Sequence, residues 1–189
     1  MTVRISEVGA NSLDRVNKIL AGIPGGIWRA THSALQRAGA TAKTRSGQFA
    51  AQEYTIRKGD FMSNVHQKTH ISSDGGGVVS LSISYAGTVL PLLMFRTKYS
   101  RSGKLETQVK REGVSTMLDR VFAARVYGPL RAFERVGRER FPIQQKFGPS
   151  TAHMMQNPVV IQKMDETIQE TFDRRLEHEI TRVLNGWGG

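Results

Sequence analysis

From Ile161 onward the apolar residues fall on one helical stripe: Ile161, Met164, Ile168, Phe172, Leu176, Ile180, Val183 and Leu184, almost all at steps of three or four. A 3.6-residue repeat makes that pattern of one buried face. Asn157-Pro158 opens the stripe with a capping side chain and a proline where a missing N–H costs nothing, and Asn185-Gly186 closes it. Asp165 and Glu166 lie toward the positive end of the helix dipole and Arg182 toward the negative end, while Glu170 and Arg174 form an i,i+4 pair. A helix over 158–185 would be about 42 Å long. So long an amphipathic rod has to lie across a sheet or a neighbour.

The sheet is written earlier in the chain. Val79, Leu81, Ile83 and Tyr85 alternate with Ser80, Ser82 and Ser84, which predicts a half-buried strand. Ser73-Asp74-Gly75-Gly76-Gly77 predicts a turn before it and Ala86-Gly87 a turn after it, with a returning strand over Val89 to Phe95. Arg96 to Lys104 reads as a polar loop, Leu105 to Arg111 as a weakly alternating strand, and Met117 to Tyr127 fits helix or strand, with the β-branched and aromatic content favouring strand. Leu130 to Val136 would pair with it across Gly128-Pro129. Before the sheet, Leu13, Val16, Leu20 and Ile23 predict a first helix capped by Asn11 or Ser12. A second follows the Pro24-Gly25-Gly26 break, running to Ala38 with Ile27, Ala30, Ala34 and Leu35 inward, and Gln48 to Tyr54 can extend the helical region. Asp60 would cap a short helix over Phe61 to Gln67, followed by extended chain at Lys68 to Ser72. The class expected is α+β, with N-terminal helices, an antiparallel β-sheet and a long C-terminal helix packed on that sheet. At 189 residues one domain is expected, with a helical region over 1–60, a sheet region over 61–150 carrying the basic loop 96–104, and the terminal helix in 151–189.

The net charge of +11 is unevenly placed. Residues 1–60 hold 9 basic and 4 acidic side chains, residues 61–157 hold 14 and 6, and residues 158–189 hold 4 and 6. A basic body argues for anionic partners and says nothing about fold. Cysteine is absent, which removes disulfides, thiolate metal sites and cysteine nucleophiles together. The longest apolar patch, Val89 to Phe95, is interrupted by Pro91 and far too short to span a membrane, and no apolar stretch follows Arg4 to make a secretory signal. The expectation is therefore a protein made in cytoplasm with no membrane contact.

Few residues suggest chemistry. His66 and His70 share the i,i+4 spacing of a metal pair but have no third ligand at suitable spacing, and Glu177-His178-Glu179 reads as a solvated helix face. No serine lies in a nucleophile elbow, and Gly75-Gly76-Gly77 lacks the Lys-Ser/Thr of a phosphate loop. No enzyme, cofactor or metal is expected. Arg96, Lys98, Arg101 and Lys104, with Tyr99 between them, are the candidate DNA or partner contact, while a solvated hairpin tip is their plainer reading.

The stretch from Phe133 to Ser150, FERVGRERFPIQQKFGPS, is dense in arginine, turns at Pro142 and breaks at Gly148-Pro149-Ser150 before the terminal helix. Its order, F-x-R-x-G-x-x-R-x-P-I then G-P-S then an amphipathic helix, resembles the minor tail protein Z family of tailed bacteriophages. Tyr54-Thr55-Ile56-Arg57-Lys58-Gly59-Asp60 and Pro91 to Phe95 carry weaker echoes of the same family. The resemblance implies a structural virion protein at the head-proximal end of the tail, a tail completion or neck protein that joins tail to head. It further implies a homo-oligomeric ring such as a hexamer, with a tail terminator and a head-tail connector as neighbours and non-specific contact with genomic DNA as an option. Arg135, Arg138 and Arg140 are then candidate subunit contacts, or structural arginines paired with Glu134 or Glu139. The competing reading is a basic nucleic-acid-binding protein acting outside a virion, against which stand few aromatics (7%) and no helix-turn-helix, RRM or KH signature.

Overall fold

In the computed structural model, which describes residues 2–5, 10–73, 79–101, 104–126 and 128–186 and side chains from residue 15 on, the chain opens with strand β1 (Thr2–Ile5) and helix α1 (Ala10–Leu20). Helix α1 buries Val16 and Leu20. The expected break follows, with Gly25 at φ 69°, a left-handed backbone that an L side chain resists. Helix α2 (Gly26–Glu53) then runs without interruption, where the sequence predicted a helix to Ala38 and only an extension beyond it. Gly39 and Gly47 do not end it, although each costs about 1 kcal/mol relative to alanine. Gly39 instead permits close packing, since a Cβ there would stand 3.3 Å from Leu81 Cδ1 and 3.4 Å from Thr69 Cγ2.

Helix α3 (Lys58–Asn64) starts earlier and stops sooner than expected. Arg57 occupies the capping position with no side-chain bond, and Asp60, predicted as the cap, lies in the first turn. Strand β2 (His66–Ser73) takes over at once, and the predicted turn at 73–77 lies mostly outside the described residues. Strand β3 (Val79–Ala86) follows the alternation, burying Val79, Leu81, Ile83 and Tyr85. It is the middle strand of the order β1-β3-β2, with β1 antiparallel to it in the register Thr2↔Ser84 to Ile5↔Leu81. Nothing in the sequence reading anticipated β1.

Two expectations fail in the next stretch. The return strand shrinks to β4 (Val89–Pro91) followed by a 3-10 turn over Leu92–Met94, because Pro91 has no N–H with which to continue a ladder. The polar loop is largely strand β5 (Arg96–Tyr99), which pairs with β6 (Leu105–Gln108) so that Lys98 faces Glu106 and Thr97 faces Thr107. Polar cross-strand partners stabilise a ladder as apolar ones do, so its charge concealed it. The ambiguous segment is strand, in two pieces: β7 (Thr116–Leu118) and β8 (Val121–Ala124). Strand β9 (Arg131–Arg135) pairs antiparallel with β8, as expected, and β10 (Ile143–Gln145) returns along β9 after the cis Phe141-Pro142 bond. Strand β11 (Phe147–Ser150) pairs with β4 and leads into α4 (Thr151–Met155), where Ser150 Oγ accepts from the His153 N–H at 3.1 Å.

Helix α5 (Pro158–Leu184) is the expected terminal rod, and its Asn157 cap accepts from the Val159 N–H at 3.0 Å. Met164, Ile168, Phe172, Leu176, Ile180 and Val183 are buried, Ile161 is half-buried and Leu184 is exposed. The class is α+β with antiparallel sheets and this helix packed against strands. In place of one sheet the described residues form four small ones, ordered β1-β3-β2, β10-β9-β8, β11-β4 and β5-β6-β7.

These elements form two compact units that do not follow chain order. The first gathers residues 1–46, 66–85 and 161–189: α1, most of α2, the β1-β3-β2 sheet and nearly all of α5. The second gathers 47–65 and 86–160, with a core cluster of Leu92, Leu105, Val121 and Ala132 extended by Leu93, Val109 and Leu118.

Candidate functional site

The second unit carries 15 basic and 7 acidic residues, so +8 of the +11 net charge belongs to it. Residues 61–157 of the sequence already carry the same excess of eight, so the unit inherits its charge from the chain order. The four candidate cations do not act as one group. Lys98 Nζ lies 3.4 Å from Glu106 across the β5-β6 ladder, and Lys104 Nζ lies 2.6 Å from Asp119. The hydrogen bond from Lys104, helped by its charge, holds the Asp119 carboxyl below its ordinary range. Tyr99 is tied as well, its hydroxyl accepting from the Ala123 N–H at 3.2 Å. Arg101 is exposed in the turn after β5.

Arg96 belongs elsewhere. It lines a cleft of about 640 Å3 together with Arg57, Arg111, Asp60, Gln108 and the apolar run Leu93, Met94 and Phe95. Two stretches of chain build the frame. Thr55 N–H donates to the Val109 carbonyl (2.9 Å), Arg111 N–H to the Glu53 carbonyl (2.9 Å), and Tyr54 forms an antiparallel bridge with Lys110. The Thr55 hydroxyl donates to the Gln108 carbonyl and accepts from the Arg96 N–H, and the Gln108 side-chain amide donates to the Arg111 and Gly113 carbonyls. Arg111 Nε donates to the Ala51 carbonyl at 2.6 Å, which aims its guanidinium. The sequence placed Arg111 at the end of a weakly alternating strand and Arg57 inside a signature segment, with no signal joining them to Arg96. Their meeting depends on the bridge between 54 and 110.

The β9-β10 hairpin presents the other arginines. Arg135 stacks over the Phe122 ring with its guanidinium carbon 5.4 Å from the centroid, and Arg140 lies over Phe141 at 5.7 Å. Neither takes the expected partner Glu134, which is bound by Lys146 Nζ at 2.8 Å. Arg138 borders a shallow hollow with Arg120, Asp119 and Phe122. The tip closes through the Val136 N–H on the Pro142 carbonyl (3.1 Å), and leaves Val136 60% and Phe141 63% exposed. Two large apolar side chains among three arginines make a surface of the composition that protein interfaces favour.

The remaining polar candidates have structural positions. His66 and His70 are exposed on β2, where four residues span about 13 Å, too far apart to share a metal. No group of three or more His, Asp or Glu among the described residues could hold a metal ion. The triplet on α5 is only partly the solvated face expected: Glu177 pairs with Arg15 at 2.8 Å, but Glu179 is buried and bonds Arg182 at 2.9 Å. Burial pushes the Tyr85 phenol and the Asp165 carboxyl above their ordinary values, and one buried oxygen of each side chain has no hydrogen-bond partner. No helix among the described residues is long and apolar enough to cross a membrane. Compared with family models, curated proteins and solved structures, the chain matches none.

Proposed function

We propose that the chain is a structural protein of a phage tail: a tail completion or neck protein at the head-proximal end, acting as a homo-oligomeric ring without catalysis. The observation that carries this reading is the 133–150 segment. Its motif residues build a hairpin whose tip exposes Val136 and Phe141 beside Arg138 and Arg140, and its Gly148-Pro149-Ser150 end runs into α4 and α5. Such a tip offers an apolar anchor with cationic flanks to a neighbouring subunit, a tail terminator or a head-tail connector. The ring would be made in the host cytoplasm and end in the virion.

The decisive experiment is removal of the gene from the phage or prophage that encodes it, followed by electron microscopy of the lysate. Tails and filled heads that accumulate unjoined, and that join once the purified chain is added, support the reading. Normal virions formed in its absence would overturn it. Light scattering on the purified chain reports the ring directly, and Phe141→Ser should lower the mass if the tip is a subunit contact.

A second reading, a nucleic-acid-binding protein acting outside a virion, is favoured by one observation: the +8 charge gathered in the second unit. It predicts tight DNA binding and normal virions in the deletion.

A further inference from the structure

Arg57, Arg96 and Arg111 come from three separate stretches of chain and line one cleft, and Asp60 is the one carboxylate among the described residues that line it. The Nε bond of Arg111 to the Ala51 carbonyl leaves the terminal nitrogens of its guanidinium for another acceptor. Neither Arg57 nor Arg96 has a side-chain ion pair among the described residues. Like charges held around one hollow repel, and an anion seated among them relieves that cost. Leu93, Met94 and the buried Phe95 also line the cleft.

We infer that this cleft is a binding site for a carboxylate-bearing peptide segment of a partner protein. The inference goes beyond the tail reading and does not rest on it. A guanidinium fork matches a carboxylate through two parallel hydrogen bonds, and three of them give orientation as well as attraction. A nucleic-acid strand is tracked differently, by cations strung along an open groove with aromatic platforms for the bases. Here the cations ring a hollow of about 640 Å3, within the size range of sites for compact ligands. The half-buried Leu93 and Met94 in its lining suit the aliphatic stem of a glutamate or an adjoining apolar residue. Asp60 fits the same class of occupant, because its charge would repel a run of phosphates more strongly than the carboxylates of a short peptide.

Fluorescence anisotropy with a fluorescein-labelled heptapeptide carrying three glutamates and two leucines tests the site, in about 150 mM salt so that distant charges are screened. The full chain should bind this probe. Arg57→Gln with Arg96→Gln should weaken binding by roughly tenfold to a hundredfold, since two charge-assisted contacts are lost. The equal-charge control Arg101→Gln with Arg125→Gln should change it by less than about twofold. Arg111 is kept because its side chain also supports the frame. If the double variant does not fold, Asp60→Asn decides: binding about twofold to threefold tighter supports the site, and unchanged or weaker binding overturns it. Absence of binding by the wild-type chain, equal weakening by both double variants, or displacement of the probe by inorganic phosphate or duplex DNA below the concentration of unlabelled peptide needed would each overturn the assignment.

Discussion

Gly87 sits so close to Thr151 that a Cβ built on it would overlap the Thr151 hydroxyl and stand 2.9 Å from the Asn64 carbonyl oxygen. That carbonyl already accepts from Thr151 Oγ1 at 3.3 Å, so the turn after β3, the end of α3 and the start of α4 meet at one point. Gly87→Ala should therefore destabilise the protein by about 1–3 kcal/mol through overpacking against backbone. Gly59→Ala is the matched control: nothing lies within 4 Å of its added methyl, and in α3 it should stabilise by about 0.4–1 kcal/mol. Urea unfolding of the two variants reads the opposite signs directly.

Phe172 is fully buried on α5, whereas Leu184 on the same helix is 53% exposed. Phe172→Ala should cost about 3–5 kcal/mol and Leu184→Ala less than about 0.5 kcal/mol. Equal, small effects would show that the apolar ladder does not anchor this helix.

Asp165 gives a pH dependence with a definite sign. Desolvation raises its folded-state pKa, so the folded chain holds this proton more tightly than the unfolded chain does. Its contribution to stability is full below the unfolded carboxylate pKa and is lost as pH rises through the folded value. Asp165→Asn cannot lose a proton there. The stability difference between variant and wild type should thus shift in favour of the variant as pH rises through the carboxylate range, and should be flat at higher pH. A difference independent of pH would show that the carboxyl is solvated.

For the nucleic-acid reading the ion pairs alter the expected salt dependence. Four free cations on β5 and its turn would give a slope near −3.6 in log affinity against log salt, at about −0.9 per phosphate neutralised. With Lys98 held by Glu106 and Lys104 by Asp119, only Arg96 and Arg101 remain, and replacing all four by serine should flatten the slope by about 1.8. Filter binding from low to moderate salt measures it. No change in slope would place any DNA contact elsewhere on the unit.

Local periodicity sufficed for the elements whose own residues carry the signal. The α5 ladder, the Val79–Tyr85 alternation, the Pro24-Gly25-Gly26 break and the pairing partner of Leu130 to Val136 were all legible, because each is a repeat or a punctuation read within a few residues. Three things were not. Strand β1 is stabilised by its register on β3, a contact across nearly eighty residues that no short window contains. The Arg96–Tyr99 strand hid behind its charge, since what makes it a strand is the Glu106 and Thr107 opposite. The cleft of Arg57, Arg96 and Arg111 exists because Tyr54 bridges Lys110 and Thr55 clasps Gln108. Sequence alone determined the helices and strands that carry their own periodic signal and that the chain is basic. Only the tertiary structure decided which charges neutralise one another and which are left facing a shared hollow, because pairing of charges falls off with distance in space and is indifferent to distance along the chain.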